Sequence, residues 1–118
     1  IRAESIRHMN RSAQMGLSAA YLALEDAGIE PEAMAEYRAG ISTGTTLGDA
    51  QTVEDINLLL MEKKEIDPVH YHRIFTHSTP AFIAAEFGVN GPCMMFSTAC
   101  AAGNYAIAYG YDLIRMNR

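Results

Sequence analysis

Residues 93–103 constrain the fold more than any other part of the sequence. The run from Cys93 to Phe96 is short and wholly apolar, which predicts a strand buried on both faces. Small residues follow it, and the chain then enters a helix that reaches Met116 and is apolar on nearly all sides, which predicts a buried helix. A strand, a tight turn and a helix in this order are typical of an α/β fold, and Cys100 lies at the turn.

The position of Cys100 suggests chemistry. Backbone N–H groups in the first turn of a helix have no intrahelical partners, and the helix dipole adds about half a positive charge there, so a thiolate is favoured over a thiol. The same N–H groups can stabilise an oxyanion that forms when the sulfur attacks a carbonyl. Two interpretations of Cys100 stay open on this pattern, a nucleophile or a small buried apolar residue. Cys93, on the apolar strand, is predicted to be a core residue.

The first half of the chain predicts further elements of the same kind of fold. Apolar residues recur at spacings of four and three from Asn10 to Ala27, which predicts an amphipathic helix that ends at Gly28. Residues 32–36 predict a short helical turn, and residues 39–43 a brief strand. A glycine-bounded loop, residues 44–48, follows the strand, and such loops are where α/β folds place ligands.

The segment between the two strands is predicted to be mostly helical. Asp49 can cap a helix that continues to Asp67-Pro68, with Val53, Ile56, Leu59 and Leu60 on one face. Residues 69–75 show no clean period. A short helix with Pro80 in its first turn then leads to Phe87 and ends at Gly88.

Composition excludes several functions. The chain has 118 residues and a formal net charge of −5, and it lacks the basic run that binding to nucleic acid or an anionic membrane requires. Its apolar stretches are far shorter than the roughly 20 residues that cross a bilayer. Two cysteines without a leader do not indicate disulfides, which favours the cytoplasm. The sequence opens on Ile1 and a charged stretch, so we expect it to be part of a longer chain.

A metal site is a weak alternative. His70 and His72 would lie on one side of a strand, with His77 nearby, but zinc needs three or four firmly held ligands and the segment has no regular period to hold them. We therefore expect solvated or interface histidines and no metal.

The sequence resembles the β-ketoacyl-acyl carrier protein synthases, the thiolase-fold condensing enzymes of fatty acid and polyketide synthesis. The resemblance rests on three ordered segments: residues 91–103 with the Thr98-Ala99-Cys100 core, residues 8–28 around the first long helix, and residues 39–48. It implies a thiolase-like layered α-β-α fold. It further implies that residues 1–118 form a single, incomplete unit of the N-terminal half.

The resemblance also implies roles for two residues. Cys100 is the expected nucleophile, which accepts an acyl chain from a phosphopantetheine thioester with its own backbone N–H as an oxyanion donor. Leu47 falls where the family places a residue that gates the acyl pocket; the alternative is a loop residue packed on the core. Residues 69–75 fall where the family's partner subunit reaches toward that pocket.

The implied reaction is a decarboxylative Claisen condensation with a malonyl-acyl carrier protein. The resemblance implies no bound cofactor, an acyl carrier protein as partner, the remainder of the synthase chain, and a homodimer or a heterodimer of ketosynthase subunits. The residues that the family uses for decarboxylation lie downstream of the cysteine, beyond this sequence. Met9-Asn10-Arg11 looks more like the discrete synthases than the modular ones.

Two alternatives to an enzyme remain. A non-catalytic partner subunit resembling a chain-length factor would share the fold, but such partners usually lack the cysteine. A free-standing helical binding module would fit the acidic helices and would leave the arrangement around Cys100 unexplained. Acylation of Cys100 distinguishes the enzyme from the non-catalytic partner subunit.

Overall fold

The computed structural model describes residues 3–117. In chain order its elements are α1 (Ala3–His8), α2 (Arg11–Ala27), a 3-10 helix (Pro31–Ala35), β1 (Ile41–Gly44), α3 (Ala50–Met61), α4 (Val69–Arg73), α5 (Ser78–Phe87), β2 (Cys93–Phe96), a second 3-10 helix (Ala99–Ala101) and α6 (Ala102–Arg115). Within the described range, no helix is long and apolar enough to cross a membrane.

The predicted bounds of α2 are confirmed, and side-chain chemistry explains them. The Asn10 Oδ1 atom accepts a hydrogen bond from the Ala13 N–H at 2.8 Å, which satisfies one of the free donors at the helix start. Gly28 ends the helix with φ of 65°, a left-handed conformation that glycine adopts without steric cost. α5 likewise ends at Gly88, as predicted.

The core forms where α2 packs against α5. Leu17 and Ile83 are buried there, and the rings of Tyr21 and Phe87 meet edge to face with centroids 4.8 Å apart. Burial of a leucine or phenylalanine side chain contributes about 1.5–3 kcal/mol. The other buried members of the cluster are Met9, Ala13 and Val89.

The two strands form a parallel pair in which Ile41 lies opposite Cys93 and Gly44 opposite Phe96. α6 packs on β1, and the Ser42 hydroxyl donates a hydrogen bond to the Ala106 carbonyl at 2.8 Å. β1 begins at Ile41, two residues later than predicted. The register places residue 40 opposite Pro92, which has no N–H to donate to a strand ladder.

One helix prediction between the strands is wrong. α3 ends at Met61 rather than at Asp67-Pro68, because Lys63 adopts φ of 54° and the Lys64 N–H bonds back to the Leu59 carbonyl at 2.9 Å. This pairing closes a helix at its C-terminal end. Residues 69–73, which showed no period, form the short helix α4.

Burial of β2 and α6 also differs from the prediction. β2 was predicted to be buried on both faces, but Met94 is 40% exposed. α6 was predicted to be buried on all sides, but only Ala102 and Ala106 are buried, while Ile107 and Ile114 are 73% and 80% exposed. In residues 3–117, α6 packs on the two strands with one face. Its apolar outer face therefore stays open in this part of the chain.

Candidate active site

Aromatic contacts between the end of β2 and α6 hold the turn that joins these two elements. Phe96, the last residue of β2, packs against Tyr109 and Tyr105 of α6, with ring centroids 5.4 and 6.3 Å away. These contacts fix the angle at which the chain leaves the strand. Four residues, 97–100, therefore suffice to bring Cys100 to the edge of the sheet where the strands end.

Cys100 lies in the 3-10 helix Ala99–Ala101, immediately before α6, and it is exposed. The sequence pattern predicts Cys100 in the first turn of the α-helix. In the structure it precedes that helix instead. The Ala101 N–H donates to the Thr98 carbonyl at 3.1 Å, and the Ala102 N–H donates to the Ala99 carbonyl. Among the described residues, the N–H of Cys100 has no backbone partner. An accessible sulfur and a free N–H thus belong to the same residue.

Ala99 gives this turn its shape. Its φ of 47° lies in the left-handed region, which costs a residue with a Cβ roughly 1–2 kcal/mol. Strained backbone of this kind persists only where the surrounding structure enforces it, and it concentrates at functional sites. No residue type at this position predicts the conformation, since neither glycine nor asparagine stands at position 99.

The end of β1 lies against the start of α6. A Cβ atom placed on Gly44 would overlap the Ala102 carbonyl group and approach the Gly103 nitrogen to 2.8 Å. Only a residue without a side chain permits this approach. The Thr45 N–H also donates to the Phe96 carbonyl at 3.0 Å. The loop after β1 therefore begins beside the turn that carries Cys100.

Leu47 lies in this loop with 68% of its surface exposed. The alternative that it packs on the core is wrong for the described part of the chain. Two hydroxyl groups bond the backbone on either side of it: Ser97 donates to the Thr46 carbonyl at 2.8 Å, and Ser12 donates to the Gly48 carbonyl at 2.9 Å. Sequence reasoning missed both serines, because each joins segments that are distant in the chain.

Cys93 was predicted to be a core residue, and it is exposed. It begins β2, so it lies at the opposite end of the strand from Cys100. Desolvation by neighbouring atoms nevertheless raises the pKa of the Cys93 thiol above its ordinary value, because a partly dehydrated site disfavours the charged thiolate.

The histidines occupy separate places. His70 contacts the Asp67 carbonyl through Nδ1 at 3.1 Å, His72 meets His8 edge to face at 6.5 Å, and His77 stacks on Phe75 at 5.1 Å. In the part of the chain that the structure describes, no group of three or more His, Cys, Asp or Glu side chains is arranged to hold a metal ion.

Comparison with known proteins gives consistent matches. Residues 1–118 match the family "Beta-ketoacyl synthase, N-terminal domain". The chain is 33% identical to a putative polyketide beta-ketoacyl synthase 1 of Streptomyces halstedii over 98% of its own length and 29% of the relative. It is 27% identical to 3-oxoacyl-[acyl-carrier-protein] synthase 2 of Vibrio cholerae, over 92% of this chain and 27% of that protein.

Solved structures agree with these matches. The ishigamide ketosynthase/chain length factor superimposes with a TM-score of 0.84 at 33% identity, over 94% of this chain and 28% of the other. A beta-ketoacyl synthase from Burkholderia phymatum gives a TM-score of 0.80 at 25% identity, over 98% of this chain and 29% of the other. The chain thus spans less than a third of the length of the relatives it matches.

Proposed function

Because this chain belongs to the β-ketoacyl synthase family, we propose that the full protein is a condensing enzyme, that this chain forms part of its N-terminal half, and that Cys100 is its acyl acceptor. The thiolase-like α/β fold class expected from the sequence is confirmed by the likeness to both solved ketosynthases. The observation that carries the proposal for Cys100 is the exposed thiol whose backbone N–H has no backbone partner within residues 3–117, in the turn that Ala99 shapes with its left-handed φ.

The first step transfers an acyl group between two sulfur atoms. The Cys100 thiolate attacks the carbonyl carbon of an acyl thioester carried on the phosphopantetheine of an acyl carrier protein. The resulting oxyanion accepts a hydrogen bond from the Cys100 N–H. The carbon–sulfur bond to phosphopantetheine then breaks, and the departing thiolate takes up a proton. The enzyme is left as a thioester of Cys100.

The second step forms the new carbon–carbon bond. A malonyl thioester loses carbon dioxide, and the electron pair released at its α-carbon attacks the carbonyl of the acyl-Cys100 thioester. Cys100 leaves as a thiolate, so that the cysteine is regenerated and the acyl chain is two carbons longer. The groups that promote decarboxylation belong to the remainder of the synthase chain in this proposal, as the family resemblance implies.

Several further expectations belong to the same proposal. The enzyme is of the discrete type, it works in the cytoplasm without a bound cofactor, and it pairs with a second ketosynthase subunit, identical or related. One of the solved relatives is titled a ketosynthase/chain length factor, which supports pairing of this kind. Leu47, exposed beside the turn of Cys100, is the proposed gate of the acyl pocket.

The test is acylation of the full-length protein. The protein is incubated with a straight-chain acyl thioester of N-acetylcysteamine, and the modified peptide is identified by mass spectrometry. We expect one acyl group on Cys100, none in Cys100→Ala, and an unchanged result in the matched control Cys93→Ala. Because Cys100 is exposed, Cys100→Ala should change the free energy of unfolding by no more than about 0.5 kcal/mol.

Other results would contradict the assignment. Acylation that persists in Cys100→Ala, or that occurs on Cys93, would return Cys100 to a structural role. A wild-type protein that stays unacylated while a co-purified ketosynthase subunit takes up the acyl group would favour the non-catalytic, chain-length-factor-like partner.

A further inference from the structure

We propose that the hydroxyl groups of Ser12 and Ser97 position Leu47, and through it determine which acyl chain lengths the enzyme accepts. The inference rests on the proposed function, since the position of Leu47 matters to substrate choice only if Cys100 receives an acyl chain. Ser12 and Ser97 are positioning residues in this proposal, because they act through Leu47 and do not contact the substrate.

Ser12 holds the far side of the loop. Its Oγ atom lies 2.9 Å from the Gly48 carbonyl oxygen and 3.1 Å from Asn10 Oδ1. Asn10 is itself buried, and its amide group donates to the Arg73 carbonyl at 2.6 Å. The Ser12 hydroxyl therefore starts from a rigid base, formed by the beginning of α2 and the end of α4. The hydrogen bond to the Gly48 carbonyl ties the loop to this base.

Ser97 holds the near side of the loop. Its Oγ atom donates to the Thr46 carbonyl at 2.8 Å, and it belongs to the turn that carries Cys100. Within the loop, the Gly48 N–H donates to the Thr45 hydroxyl at 3.2 Å. The two carbonyls on either side of Leu47 are thus bonded to different parts of the molecule, one to α2 and the other to the active-site turn.

The side chain of Leu47 depends on this backbone for its position. It is 68% exposed, so packing with the core of residues 3–117 does not hold it. With its neighbouring carbonyls held, Leu47 projects from a constant backbone position, and in this proposal an acyl chain that enters the pocket must pass its side chain. If one carbonyl is released, the loop can move and the constriction relaxes. The substrate class affected is acyl thioesters that differ in chain length.

The experiment compares long and short acyl thioesters of N-acetylcysteamine as acyl donors for Cys100 in the full-length enzyme. The readout is the ratio of kcat/KM for the long donor to that for the short donor. Loss of one hydrogen bond should change this ratio by about two- to tenfold in Ser12→Ala and in Ser97→Ala. Ser12→Thr keeps a hydroxyl and should restore the wild-type ratio.

Ser18→Ala is the matched control. Ser18 lies on the exposed side of the same helix, and among residues 3–117 its hydroxyl bonds only to the Gln14 carbonyl of that helix, at 2.8 Å. This variant removes the same atom from α2 without touching the loop. We expect it to leave the ratio unchanged. A shift as large as that of Ser12→Ala would show that a general effect on α2, and not the loop, is responsible, and would overturn the proposal.

A double-mutant comparison tests whether the serines act through Leu47. In a Leu47→Ala background the constriction is gone, so Ser12→Ala should no longer alter the chain-length ratio. Full additivity of the two changes would overturn the proposal. An unchanged chain-length ratio in both Ser12→Ala and Ser97→Ala would also overturn the proposal, provided that hydrogen exchange confirms that the two variants are folded. If wild-type Cys100 is not acylated at all, the proposed function fails first; if it is acylated and the serines have no effect, only this inference fails.

Discussion

The two strand ends of the parallel sheet carry loops of opposite character. After β2, the chain turns through residues 97–101 into α6, and Ala99 adopts a left-handed φ of 47° although it carries a side chain. After β1, a loop of the same length, residues 45–49, reaches α3, and the residue with positive φ is a glycine, Gly48, at 69°. The turn after β2 thus has a strained residue with a side chain beside Cys100. The loop after β1 has glycine at its positive-φ position, which avoids strain, and it exposes Leu47.

The difference shows that two neighbouring loops of one site can be held in place by different kinds of interaction. The turn at Cys100 needs a single fixed geometry for covalent chemistry, and the aromatic contacts of Phe96 can enforce a costly backbone there. The loop of Leu47 relies on hydrogen bonds from Ser12 and Ser97 instead. Individual hydrogen bonds contribute only about 0.5–1.5 kcal/mol each. The second loop is therefore the easier one to alter.

The largest effect is expected where the end of β1 meets the start of α6. Gly44→Ala would drive a methyl group into the Ala102 backbone, and overpacking of this kind typically costs about 1–3 kcal/mol, occasionally more. In the full-length protein we expect a lower urea midpoint and slower acylation of Cys100. Gly103→Ala is the control, because within residues 3–117 its added Cβ meets no atom of another element within 4 Å. Equal midpoints for the two variants would contradict the close approach.

Gly48→Ala should have the next largest effect. The substitution combines an unfavourable φ of 69° with a contact of 3.0 Å to Thr76 Cγ2, and the backbone part alone costs roughly 1–2 kcal/mol. Gly28→Ala separates the two contributions, since Gly28 has a similar φ of 65° and an added Cβ there meets no other part of residues 3–117 within 4 Å. Chemical denaturation should therefore show a larger loss for Gly48→Ala. A smaller loss than for Gly28→Ala would argue against the Thr76 contact.

Ala99→Gly should produce a smaller change, in the opposite direction. Glycine adopts the left-handed conformation freely but loses more entropy on folding, so we expect a net gain of at most about 1 kcal/mol in the free energy of unfolding. Ala99→Val, whose branched side chain tolerates positive φ poorly, should destabilise the protein. Thermal denaturation measures both variants. Stabilisation by valine would show that residue 99 is not strained.

The smallest expected effect concerns the thiol at the other end of β2. Desolvation raises the pKa of Cys93, so less thiolate is present at neutral pH and alkylation should become fast only at higher pH than for an unperturbed thiol. We would follow iodoacetamide labelling of Cys93 against pH in the Cys100→Ala variant, folded and in urea. The folded profile should lie at higher pH. Coincident profiles would refute the shift.

Helix ends were the most predictable part of the molecule, because the residues that stop a helix act locally. Asn10, Gly28 and Gly88 lie where the sequence placed them, and the strand at residues 93–96 was placed correctly as well. The end of α3 was missed because Lys63, not a glycine, takes the left-handed conformation. No propensity scale signals such a residue.

Burial and the surroundings of the site were less predictable, since both depend on contacts between distant segments. Residues such as Ile107 and Cys93 looked like core from their apolar neighbours, but within residues 3–117 no other element covers them. The pattern around Cys100 left two interpretations open, and the roles of Cys100 and Leu47 were predicted from the resemblance to a known family. The bonds from Ser12 to Gly48 and from Ser97 to Thr46 span 36 and 51 residues, and hydroxyl groups carry no pattern that reveals such pairings.

The parallel pairing of β1 with β2 has a consequence for the order of folding. Residues 45–92 separate the two strands, so the sheet must close a long loop before any ladder bond forms, and that closure is entropically costly. α2 and α5 both precede β2 in the chain, and their shared core is complete apart from the sheet. During synthesis on the ribosome, the helical core can therefore form first and serve as a template, and the cysteine turn is assembled after it.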